Sequence, residues 1–278
     1  MTNQNKVFQY KVIITLGIVL IATLIIGGWL DTTGRNYTED GIKRALATYA
    51  IARGLNGVIS VAQGTEVAIE PVGVGVTFTP GQILDPINDL IERFSWIVLA
   101  SSVSLGAQNV LLSMTEWLWF GVTVGVFLII ALLAIWQKQL FTETTKKYLY
   151  KATLILVILR LAVPVIAVVN QGVYQIFLEP QYQESKVKLE ETTTLLEEST
   201  PTPVETEEGF FERAQKVISD ASDAFNIDQK MDELKKIASD ISQYVMNMIV
   251  VFVLQTIIFP LLFLWLTYRS IVTVVNYK

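Results

Sequence analysis

The sequence predicts a mainly α-helical, polytopic membrane protein with four transmembrane helices and two large exterior regions, and three observations carry that prediction. Its 278 residues are 52% hydrophobic and only 17% charged, too apolar for an ordinary water-soluble domain. Four runs reach the roughly 20 apolar residues a helix needs to cross about 30 Å of hydrocarbon. The basic residues of the short segments all fall on one side of the membrane if there are four crossings.

The runs are Val12 to Leu30, Leu118 to Gln137, Ala152 to Leu178 and Tyr244 to Tyr268. The first exceeds a signal-peptide core, and no small-x-small cleavage site follows "IIGGWLDTTG", which favours an uncleaved anchor. Lys6 and Lys11 precede the first run, Lys138, Lys146, Lys147 and Lys151 crowd the connection between the second and third, and Arg269 and Lys278 follow the fourth. The positive-inside rule makes that side, and with it both termini, cytoplasmic. Aromatic side chains mark the borders: Trp29, Trp117 and Trp119 at the outer one, Trp136, Tyr148, Tyr150 and Trp265 at the inner. A further run, residues 94 to 114, is long enough to be a fifth span. A fifth crossing would invert the lysine-rich loop, and the run carries Ser101, Ser102, Ser104, Gln108, Asn109 and Ser113. The charge rule favours a buried, re-entrant or interface-lying helix there over a span.

The expected organisation follows: 1–30, N-terminus and first span; 31–115, an exterior region; 116–178, spans two and three with their basic loop; 179–243, an acidic exterior arm; 244–278, fourth span and C-terminus. With no cysteine and no histidine, Cys/His zinc sites, thiol nucleophiles and histidine acid–base schemes are excluded. No cofactor or metal is expected. A net charge of -5 and a pI near 5.0 give no case for nucleic acid. Missing cysteines fit the bacterial inner membrane better than a secretory compartment.

The first exterior region should open with a helix capped by Thr38 or Asp40, rich in small residues that let a neighbour approach. It continues into "AIEPVGVGVTFTPGQ", which superficially suggests a phosphate loop. Gly73, Gly75 and Thr77 alternate with valines, the period of a strand or short β hairpin, and no Lys or Arg lies between Arg53 and Arg93. A phosphate loop needs its glycines after the strand, at a helix N-terminus. Gly73, Gly75 and Thr77 are instead candidates for a close contact, including one between subunits. Asp85 and Pro86 read as the cap and first residue of the next helix.

The second exterior region is charged, with 15 Asp and Glu against 7 Lys and Arg over residues 181 to 243. Pro201 to Gly209 reads as a loop and Phe210 to Phe225 as an amphipathic helix. Met231, Leu234, Ala238, Ile241, Val245 and Met248 then repeat at alternating three and four, a coiled-coil seam running into the fourth span. The seam can close on a second subunit or on the chain's own helices.

Arg160 is the only charged residue in the four spans as drawn. A mid-membrane Arg costs about 2.5 to 3.5 kcal/mol, so it should face protein or water. The reading places no Asp or Glu at its depth. Arg160, with Asn170, Gln171 and Gln255, is therefore the candidate pore-lining or anion-facing set, against snorkelling or interhelical hydrogen bonding. Pro164 frees the Arg160 carbonyl. The layout is similar to that of several eukaryotic large-pore channel families, in topology alone, without the cysteines that staple their exterior loops. Three classes of function remain open: a homo-oligomeric channel, a scaffold or accessory subunit of an envelope complex with a protein partner, and a membrane enzyme. The expectation is non-enzymatic, lipid-embedded and oligomeric, with the channel first.

Overall fold

The computed structural model describes residues 3–63, 67–69, 76–78, 81–137, 139–199 and 227–276. They are almost entirely helical. In chain order they form α1 (Asn3–Gly27), α2 (Trp29–Gln63), β1 (Val67–Ile69), β2 (Val76–Phe78), α3 (Gly81–Glu116), α4 (Leu118–Trp136), α5 (Glu143–Val173), α6 (Glu179–Ser199), α7 (Ile227–Val253) and α8 (Phe259–Asn276). π-helical turns at Tyr174–Leu178 and Leu254–Ile258 join α5 to α6 and α7 to α8. The short strands pair antiparallel, Val67 opposite Phe78. Gly73 and Gly75, the loop from Pro201 and the helix expected from Phe210 lie outside the described residues.

Local chemistry sets the breaks. Gly28 takes φ 61°, open to glycine, and separates α1 from α2. Trp117, extended at ψ 128°, divides α3 from α4. Thr142 caps α5 by accepting from the Thr145 amide at 3.3 Å. Two expected helix starts move. Because α2 begins directly after Gly28, Thr38 lies inside it and its hydroxyl donates back to the Arg35 carbonyl at 2.9 Å. The next helix starts at Gly81, upstream of Asp85, whose carboxylate instead accepts from Gln63 Nε2 at 2.8 Å.

Among the described residues, five helical stretches are long and apolar enough to cross a membrane: Phe8–Gly27, Leu84–Glu116, Leu118–Trp136, and segments within Glu143–Leu195 and Lys235–Asn276. The chain divides into two compact units. The first comprises Met1–Arg44, Ser101–Leu178 and Val253–Lys278. In it α1 packs on α4, where the Trp136 indole donates to Thr15 at 3.2 Å and meets Phe8 edge-on at 6.3 Å. Val124, Leu128 and Val157 form a small core there with Ile18, Ile21 and Ala22. The start of α2 runs parallel to α5 and antiparallel to α3. A side-chain carbon at Gly34 would lie 3.0 Å from the Ala167 Cβ and 3.2 Å from Leu112, and one at Gly41 3.1 Å from Leu105. The absence of a side chain at these two glycines is what permits this approach.

The second unit comprises Ala45–Ala100 and Glu179–Phe252. Each helical segment carries a buried stripe spaced by three and four, joined by Ser95 and Val251: Ala45, Thr48, Ala52, Leu55 and Ile59; Leu84, Ile87, Ile91, Phe94 and Val98; Tyr182, Ser185, Leu189 and Thr192; Ala238, Ile241, Val245, Met248 and Phe252. The seam expected from the sequence is thus buried by the chain itself from Ala238 onward. Ala238 and Ile241, taken as candidates for contact with another subunit, are covered within one chain, because three other segments carry matching stripes. The side chains of Met231, Leu234 and Thr77 lie outside the described residues.

Candidate functional site

Among the described residues, the buried charged and amide side chains that stand close together lie inside the first unit, in a ladder along α2 and α5. At one level Arg160 grips Asp31 with both terminal nitrogens, Nη1 to Oδ1 at 2.8 Å and Nη2 to Oδ2 at 2.5 Å. Only 4% of Arg160 and 7% of Asp31 is exposed. Asp31 sits in the first turn of α2, where the helix end also favours a carboxylate. A planar guanidinium matches a carboxylate in two parallel hydrogen bonds, the strongest ion pair available to side chains. Arg160 Nε makes no hydrogen bond. Arg35, one turn along α2, forms a second pair with Glu116 at the end of α3.

The premise that no acid reaches the depth of Arg160 is therefore corrected. Asp31 follows immediately on the first apolar run, and hydropathy alone puts it in an exterior region because the run ends there. Helix packing, absent from a hydropathy reading, brings α2 alongside α5 and carries Asp31 to Arg160. The charge of Arg160 is paired within the chain and does not need an aqueous or inter-subunit face to neutralise it.

Higher on α5, Asn170 is 1% exposed and neither amide atom has a hydrogen-bond partner. The contacts of Gly34 with Ala167 and of Arg44 with Tyr174 place Asn170 level with Tyr37 and Thr38 on α2. Gln171, the fourth member of the expected set, is half-buried. Beyond it the two π-helical turns present Tyr174 and Gln255 to the same interior. The Arg44 guanidinium stacks 4.1 Å from the Tyr174 ring centre. Tyr37 and Gln255, each 2% exposed, face one another without aligning as a good hydrogen bond. Burial pushes the Tyr37 phenol well above its usual pKa, against the smaller opposing pulls of Gln255 and Arg44.

The π turn at Leu254–Ile258 shifts the phase of its helix, and α3 takes up the altered backbone. Ser104 donates to the Thr256 carbonyl at 2.8 Å, and the Ser101 and Thr256 hydroxyls meet at 3.1 Å. Isolated π turns recur at functional positions because they re-aim side chains. The structure thus gathers Arg160, Asn170 and Gln255 from the expected set into one unit. Sequence reasoning missed Asp31, Tyr37, Arg44 and Tyr174, since only the heptad-like spacing of the buried positions of α2 (Asp31, Gly34, Thr38, Gly41) marks that face. Among the described residues no group of three His, Cys, Asp or Glu could hold a metal ion.

No family model, curated protein or solved structure matches this chain.

Proposed function

We propose that this chain is a non-enzymatic scaffold or accessory subunit of a bacterial inner-membrane complex, crossing the bilayer four times with both termini in the cytoplasm. The observation that carries the scaffold reading is the closed Arg160–Asp31 pair. The one charge deep in the apolar runs is neutralised internally, which removes the reason to set a conduit beside it.

Two contacts and one short connection support the layout. Lys11 lies over the Trp136 ring, 5.8 Å from its centre, and Lys151 donates to the Val275 carbonyl at 2.7 Å. These bring the N-terminal helix to the basic loop and the C-terminal helix to the same loop, so an even number of crossings is favoured. The fifth apolar stretch, Leu84–Glu116, is separated from α4 by Trp117 alone. Reversal between two packed helices ordinarily takes about two to eight residues. One residue favours α3 and α4 as a continuous path that makes a single crossing.

The absence of native cysteine makes the layout directly testable. A cysteine at Ser199→Cys should react with an impermeant maleimide in intact spheroplasts, and one at Thr144→Cys only after permeabilisation. The reverse pattern would overturn the orientation. A homo-oligomeric channel is the second reading, favoured by the unpartnered amide of Asn170 and the unpartnered Nε2 of Gln255. Planar-bilayer recordings separate the two. A scaffold leaves wild type and Arg160→Gln as silent as protein-free bilayers. A conductance whose reversal potential moves toward cations in Arg160→Gln would establish the channel.

A further inference from the structure

A groove of about 610 Å³ opens where the start of α5 meets the end of α8. Leu154, Tyr150 and Val274 supply apolar wall, and Lys146, Lys147 and Lys151 stand around it with one acid, Glu143. Two of the three ammonium groups are held in place. Lys146 Nζ donates to Glu143 at 2.8 Å, and Lys151 Nζ to the Val275 carbonyl at 2.7 Å. Lys151 retains further N–H groups, since an ammonium has three donors. Lys147 is exposed at the rim. The N-terminal end of α5 adds partial positive charge on the same side.

We propose that this groove is a binding site for an anionic phospholipid, its phosphate between Lys147 and Lys151, with the charge of Lys146 close by, and an acyl chain against Leu154, Tyr150 and Val274. The chemistry selects that class. A soluble anion would use the lysines and waste the apolar wall. A zwitterionic lipid would fill the wall but carry its own cation against three others. An amphiphile with net negative charge satisfies both. Basic side chains at a membrane border favour anionic lipid by about a factor of five each. The inference rests on the membrane reading, but on neither the scaffold role nor the direction of insertion. Conductance would overturn the scaffold and leave this site untouched.

The test places a benzophenone amino acid at Thr273, exposed beside the groove. The full-length protein is reconstituted in nanodiscs of phosphatidylcholine with a minor share of phosphatidylglycerol, irradiated and weighed intact. Adducts at Thr273 should be enriched in phosphatidylglycerol above its bulk share. The same probe at Leu264, on the exposed apolar face of α8, should report the bulk ratio. Lys147→Gln should lower the enrichment about fivefold, and Lys147→Gln with Lys151→Gln should bring it to bulk. Lys147→Arg, which keeps the charge, should retain it. Bulk proportions at Thr273 in the wild type, or enrichment unchanged in the double variant, would overturn the proposal. The single Lys147→Gln change touches an exposed side chain and keeps the test independent of folding.

Discussion

The two units differ in what their interiors enclose. In the first, many outward side chains of α1, α4, α5 and α8 are apolar (Ile13, Leu16, Val122, Ile129, Leu154, Leu261, Leu264), and beside apolar residues such as Leu112, Val124 and Leu128 the interior holds Asp31, Arg160, Asn170, Gln255 and Thr256. In the second, the interior is mostly Leu55, Ile59, Leu84, Ile91, Phe94, Ile241, Val245 and Met248, while Arg53, Glu92, Arg93, Lys235 and Lys236 are exposed. Water drives apolar side chains together but offers polar groups a good alternative to each other. Lipid does neither. It leaves helix association to close packing of small residues and to polar pairs. Each unit has the interior that its proposed surroundings would make stabilising.

Removing the ion pair's cation should have the largest effect. Arg160→Leu leaves Asp31 buried without its partner and should cost about 3–5 kcal/mol in detergent-solubilised unfolding. Asp31→Leu with Arg160→Leu should recover most of that loss, since apolar replacement of both members of a buried pair is often near neutral. A double variant as unstable as the single would mean that the pair itself, and not the orphaned charge, holds the bundle.

Ile241→Ala should come next, at roughly 2–5 kcal/mol, because it opens a cavity at a fully buried position of the second unit. Hydrogen exchange followed by mass spectrometry distinguishes the two lesions. Arg160→Leu should accelerate exchange in 31–44 and 160–170, and Ile241→Ala in 238–252. Uniform acceleration by either would show that the units unfold as one. Gly34→Val tests the close approach that replaces hydrophobic drive in the first unit. Its new carbons meet Ala167 and Leu112, and overpacking of this kind should cost about 1–3 kcal/mol. The smallest effect is expected at Lys43 and Asp40, 3.3 Å apart and more than half exposed. Lys43→Gln should change stability by less than about 1 kcal/mol.

Much of this architecture could be read from the chain. Helix content, the apolar runs and the seam through Ala238, Ile241, Val245 and Met248 are periodic signals, and periodicity survives in one dimension. The candidate site was legible only by halves. Arg160, Asn170 and Gln255 announce themselves because polar residues stand out in apolar runs. Tyr37, Arg44 and Tyr174 do not, because they lie in ordinary amphipathic or border sequence.

The sequence by itself determined which stretches are helical, which are apolar enough to enter a bilayer, and which stripe of the last long helix is buried. Hydropathy and spacing are local properties, and each residue carries its share. Tertiary structure alone decided that Asp31 belongs to Arg160, that Gly34 and Gly41 are points of close approach, and that Ala238 and Ile241 are covered by their own chain. Those outcomes depend on the register between helices far apart in sequence, which is set by how side chains interlock and has no one-dimensional signature. A carboxylate and a guanidinium 129 residues apart become one neutral group only when α2 and α5 lie side by side.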